Sequence, residues 1–168
     1  WLGFKIPQLS NDLSRTMSAV LYKYTCASCR AEFEASGAPE MSYGEFILRT
    51  DSGEEAYLEA VCNGAYSEVS DIVEAHPSLA KTGQNKVAGV IQKVFGVVCD
   101  PSPKGHRFHI EMQPTCPACK SREMASWEAV YPLQLSPIPS VTQTRWALLG
   151  NAEKADIINR AIGLIDEP

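Results

Sequence analysis

Two kinds of hydrophobic spacing divide the chain, one of strand type and one of helix type. Apolar residues two apart mark a half-buried strand, while steps of three and four mark one face of a helix. Residues 19–25 (AVLYKYT) have strand composition, and Arg30–Ala35 alternates, with Phe33 inward between Glu32 and Glu34. Glu45–Thr50 and Glu54–Val61, joined by Asp51-Ser52-Gly53, read as a β-hairpin. From Ser67 the step changes: Val69, Ile72, Val73 and His76 share a helical face that Pro77 ends. Beyond Gly83, Val87, Val90, Ile91, Val94, Phe95 and Val98 repeat on one face and predict the main buried helix. Its β-branched residues cost helix propensity without changing the period.

The later half continues the alternation. Asp100–Gly105 is a turn-rich connector. His106–Gln113 places Phe108, Ile110 and Met112 on one side, which predicts a half-buried strand, and Met124–Tyr131 predicts another. Pro132–Ser140 is proline-spaced and reads as an extended linker. Thr142–Leu149 predicts a short helix, with Asn151 as the cap of a longer one. The stripe Ile157, Ile158, Ala161, Ile162 and Ile165 on that helix is expected to fold back on the domain; a partner-binding arm is the alternative. Residues 1–16 precede the first methionine, Met17, and are set apart as an N-terminal extension. Trp1, Leu2, Phe4 and Ile6 in it are expected to dock on a surface, since free apolar tails are seldom ordered.

The candidate chemistry lies in two Cys-x-x-Cys pairs, Cys26/Cys29 and Cys116/Cys119, each in a turn between strand-like runs. Two such pairs suffice for one tetrahedral zinc site, each taking one edge of the tetrahedron. Cys116 follows Cys29 by 87 positions. That loop is long, but its closure costs entropy only as the logarithm of its length. Disulfides and redox thiols are the competing readings. Tight pairs favour a metal in a reducing compartment, and a redox pair needs a helix N-terminus that neither pair precedes. Cys62 and Cys99 fall outside any ligand spacing and are expected to be buried free thiols. His106 and His109 point to opposite faces of a strand and cannot chelate together, while His76 suits a helix end.

The segment YTCASCRAEFE, Tyr24–Glu34, resembles the Tyr-x-Cys-x-x-Cys-Gly-x-x-Phe-Glu opening of bacterial zinc-ribbon proteins. PTCPACKS, Pro114–Ser121, resembles the Cys-Pro-x-Cys-Gly-Ser knuckle that closes many ribbons. The resemblance implies a structural Zn²⁺ held by Cys26, Cys29, Cys116 and Cys119. With the hydrophobic spacing of the remaining chain, which the resemblance does not cover, the expected organisation is α+β: a zinc ribbon of two β-knuckles from 17–36 and 104–135, and an inserted hairpin-and-helices lobe at 37–103. A linker and C-terminal amphipathic helical arm at 136–168 complete it. Arg30 and Lys120 stand where the family pattern has glycine. Those positions often need a left-handed backbone, and two cations there would sit beside a Zn²⁺–tetrathiolate centre of net charge minus two.

Charge then ranks the functions. The 168 residues carry a net charge of −5. Residues 31–76 hold eleven acids against one base, Arg49, whereas 81–122 hold seven bases against Asp100 and Glu111. No apolar run approaches the roughly 20 residues of a membrane helix, and no secretory signal pattern is present, so a cytoplasmic location is expected. The leading expectation is a non-enzymatic protein-binding module, of the adaptor or immunity-protein inhibitor kind. It would engage a basic partner through Glu54, Glu55, Glu59, Glu68, Asp71 and Glu74. The second is a nucleic-acid-binding ribbon using Lys104, Arg107, Lys120 and Arg122, disfavoured by the net charge. The third is an enzyme with its site in the insert; no phosphate loop, His-Glu-x-x-His, Gly-x-Ser-x-Gly or dinucleotide motif supports it.

Overall fold

The computed structural model describes residues 16–110 and 112–165, an α+β fold with two antiparallel sheets. The N-terminal extension lies outside the described residues but for its last residue, so its expected docking does too. Strand β1 (Thr16–Cys26) is the spine. On one edge it pairs with β2 (Glu32–Gly37), from Val20↔Gly37 to Thr25↔Glu32. On the other edge it pairs with β5 (Met124–Ala129) over Tyr22–Cys26 and with β6 (Leu135–Pro139) over Thr16–Val20. Between β5 and β6 the chain loops out, yet Val130 N–H donates to Leu21 O at 3.0 Å and Leu21 N–H to Gln134 O at 2.9 Å. One edge of β1 is thereby satisfied along its length.

The second sheet is the hairpin of β3 (Glu45–Arg49) and β4 (Glu55–Glu59), turned at Gly53 with φ of 84°. Three helices pack against it: α1 (Gly64–Glu74), α2 (Gln84–Phe95) and α4 (Asn151–Ile165). Leu48, Leu58, Val69, Val73, Val94, Phe95 and Ile158 are buried together in that core, which Trp146 of the four-residue helix α3 (Thr144–Ala147) also joins. The insert and the C-terminal arm therefore share one core, and the isoleucine stripe folds back. A smaller cluster of Ala19, Ile47, Tyr57 and Ile138 joins the sheets. Among the described residues no helix is long and apolar enough to cross a membrane.

Four expectations need correction. The described residues of 106–113 form no strand; His109 makes an isolated bridge to Arg49, with N–H···O distances of 2.8 and 2.9 Å. Past it the Arg49 guanidinium takes the Met112 carbonyl at 3.0 Å in place of a ladder partner. The proline-spaced linker contains β6. By ladder alternation from the Leu21–Gln134 bond, Pro137 and Pro139 fall where N–H groups point away from β1, so their missing donors cost nothing. Asn151 does not cap α4: Gly150 O accepts the helical bond from Lys154 N–H at 3.0 Å and Gly150 N–H donates to Glu153 Oε2 at 2.8 Å, the glutamate half of a capping box one residue earlier. His76 caps the 3₁₀ turn Pro77–Leu79, its Nδ1 accepting Ser78 N–H at 3.3 Å, instead of closing α1.

Candidate metal centre

The two knuckles are built alike. In the first, Arg30 N–H donates to Cys26 O at 3.1 Å and Cys26 N–H to Ala31 O at 2.9 Å. In the second, Lys120 N–H donates to Cys116 O at 2.9 Å and Cys116 N–H to Ser121 O at 2.8 Å. Each chain reversal passes through a left-handed residue, Arg30 at φ 62° and Lys120 at φ 63°, as the missing glycines led one to expect. The turns dock on each other through Ser28 Oγ, which donates to Ser121 Oγ at 3.0 Å, and Ala27 N–H, which donates to Glu123 O at 2.8 Å. Arg122 fixes the second knuckle to the β3–β4 turn, pairing with Asp51 Oδ1 at 3.1 Å and donating to Thr115 Oγ1 at 3.2 Å.

This scaffold gathers four sulfurs. The Sγ atoms of Cys26, Cys29, Cys116 and Cys119 all lie within 4.8 Å of one another. Cys26–Cys119 is 3.5 Å and Cys29–Cys116 is 3.6 Å. A disulfide needs about 2.05 Å, whereas the edge of a tetrathiolate tetrahedron is roughly 3.8 Å for metal–sulfur bonds of about 2.3 Å. The spacing fits four ligands around an ion and excludes cystines. Cys26 and Cys116 are buried; Cys29 and Cys119 face solvent. Four thiolates fill a tetrahedron, leaving no position for water or substrate, so such a centre is structural.

The thiols are poised unequally. The Cys29 backbone N–H foremost, with the Cys119 thiol and the Ser28 N–H, holds Cys26 down at about 6 against the pull of burial. The Cys119 N–H lowers Cys116 in the same way. At Cys119 the Ser121 N–H favours the thiolate, but the crowding Cys29 and Cys26 sulfurs outweigh it and raise the thiol to about 12. No protein-family model, curated protein or solved structure matches the chain.

The remaining candidate residues are mostly committed to internal contacts. Glu54 accepts from Ser102 Oγ at 2.7 Å, Glu55 pairs with Arg49 at 2.9 Å, and Glu59 accepts Cys62 N–H at 3.0 Å. Glu68 accepts the Trp146 indole N–H at 2.6 Å and pairs with Lys154 at 2.7 Å, tying α1 to α4. Asp71 and Glu74 stand exposed on α1. Of the bases, Arg122 is spent on Asp51 and Lys120 Nζ on Pro117 O at 3.2 Å; Lys104 and Arg107 are exposed. Cys62 is exposed, contrary to expectation, because it sits in the turn before α1. Cys99 is half-buried, its thiol pushed up to about 12 by desolvation.

Sequence reading missed Arg49. It is buried, and its guanidinium reaches Glu55, Met112 O and Ser36 O, joining the hairpin to β2 and to the run into the second knuckle. The signal was present: Arg49 is the lone base in an acidic stretch. A solitary cation among many carboxylates is a candidate for an internal partner.

Proposed function

We propose that the chain is a zinc-stabilised, non-enzymatic protein-binding module, akin to the zinc ribbons its knuckles resemble. The observation that carries the metal reading is the four-sulfur cluster, with every Sγ within 4.8 Å of the others. An all-cysteine tetrahedron suits Zn²⁺, which has no geometric preference of its own and takes thiolate readily. The ion joins two segments 87 positions apart and so fixes β1, β2 and β5 to one another. Zinc binding in such domains is worth on the order of 10 kcal/mol or more, enough to decide whether the ribbon folds.

The binding reading is supported by what the module leaves uncovered, namely acidic surface and large apolar side chains that include Trp127 and Tyr131. A net charge of −5 favours a basic partner. The test is to strip the ion from the reduced protein with a chelator. Loss of the sheet signal in circular dichroism together with loss of retention of a basic bait protein is expected, both restored by equimolar zinc. Metal-free protein that keeps both would overturn the reading.

A further inference from the structure

We propose that the outer edge of β5 is a peptide-binding site for an extended segment of a partner protein in which basic and apolar residues alternate. The inference rests on the protein-binding reading above and places it on particular atoms. Among the described residues β5 pairs only with β1, and Ala125, Ser126, Trp127 and Glu128 in succession are exposed. An uncovered edge strand is a template for another strand. Because Val130 N–H points to Leu21 O, ladder alternation turns the Glu128 and Ser126 amides toward β1 and those of Trp127 and Ala129 outward. The outward donors and acceptors are therefore those of Trp127 and Ala129.

The two faces beside that edge differ in chemistry. Trp127 lies opposite Tyr24, on the aromatic face where Tyr24 stacks on Phe33 at 5.8 Å, and it remains 60% exposed. It also rims an open groove in which Tyr24, Ile47, Ile110 and Met112 stand beside the charged Glu45 and Arg49, and the groove's apolar wall leaves room for a side chain set opposite Trp127. On the other face Glu128 and Glu34 flank Lys23, which is already paired with Glu32 at 2.8 Å. Three carboxylates against one ammonium leave that face two negative charges in excess. A strand added at β5 meets an apolar requirement opposite Trp127 and a cationic one opposite Glu128. A second copy of this chain supplies no cation there: self-pairing about Trp127 sets Ser126 against Glu128 and joins two chains of charge −5.

The experiment is calorimetric titration of the zinc-loaded full chain with the capped peptide Thr-Val-Lys-Val-Lys-Val-Thr, whose central valine falls opposite Trp127. Binding is expected to weaken at least ~10-fold when both lysines are replaced by glutamate, and to reverse that preference in Glu128→Lys. N-methylation of the central valine, or Trp127→Ala, is expected to weaken it by a similar factor. Equal binding of the lysine and glutamate peptides, full binding of the N-methyl peptide, or no heat at millimolar peptide would overturn the site. So would a Trp127-dependent dimer in sedimentation that excludes the peptide. A basic bait retained equally by wild type and by Glu128→Lys would sink this site and leave the broader reading standing. Peptide binding with no bait retained would keep the site and sink the broader reading.

Discussion

Arg30 and Lys120 occupy the same place in the two knuckles and take the same left-handed backbone, at φ of 62° and 63°. A side chain there costs roughly 1–2 kcal/mol, and glycine escapes that cost while losing some of the gain to unfolded-state entropy. Arg30→Gly should therefore be more stable than Arg30→Val by about 1 kcal/mol in thermal unfolding of the metal-loaded protein. Both variants remove the same charge, so the comparison isolates the backbone. Equal stability would show that the turn is not strained.

Arg49 carries a second prediction. Its guanidinium is buried, with Glu55 Oε1 at 2.9 Å, Met112 O at 3.0 Å and Ser36 O as acceptors. Arg49→Met leaves a half-buried carboxylate and two carbonyls without donors, at a cost of roughly 3 kcal/mol. Urea unfolding should show that loss, and Glu55→Gln added to Arg49→Met should recover part of it. A loss under about 0.5 kcal/mol, the scale of an exposed pair, would contradict the role assigned to Arg49.

These residues mark where sequence was informative. Periodic segments were legible: Val90, Ile91, Val94 and Phe95 are buried on α2 as their spacing requires, and the 45–61 hairpin pairs in one register. The four cysteines were legible because the Cys-x-x-Cys spacing carries its own geometry. Non-local satisfaction of backbone groups was not. Nothing within 106–113 says that an arginine from β3 will donate to one of its carbonyls, so alternation alone predicted a strand. Nor does Pro-x-Pro announce that both prolines will sit on the side of β6 that needs no N–H. The acidic run read as one surface because sequence cannot reveal that Glu68 reaches Lys154, 86 positions away.

Stability should fall in acid through Asp100. Burial opposes its ionisation, but Thr142 Oγ1 at 2.7 Å and the N–H groups of Arg145 at 3.0 Å and Thr144 at 2.7 Å hold it down at about 2. The unfolded carboxyl, near 3.9, binds a proton more tightly, so the stabilisation is complete above about pH 5 and is lost as pH falls toward about 2. Glu68, lowered by its bond from Lys154, adds to the same window. In urea unfolding between these pH values, Asp100→Asn should flatten the dependence, and Glu68→Gln should flatten it further. An unchanged slope in Asp100→Asn would show that the hydrogen bonds are not formed in solution.

X-ray absorption at the zinc edge of the reduced, zinc-loaded chain tests the central claim most directly. One ion per chain with four sulfur neighbours at about 2.3 Å is the predicted spectrum, and it should lose a sulfur when Cys29 or Cys119 is replaced by serine. Nitrogen or oxygen neighbours in the wild type, or zinc that does not stay bound, would contradict the centre and the fold that hangs on it.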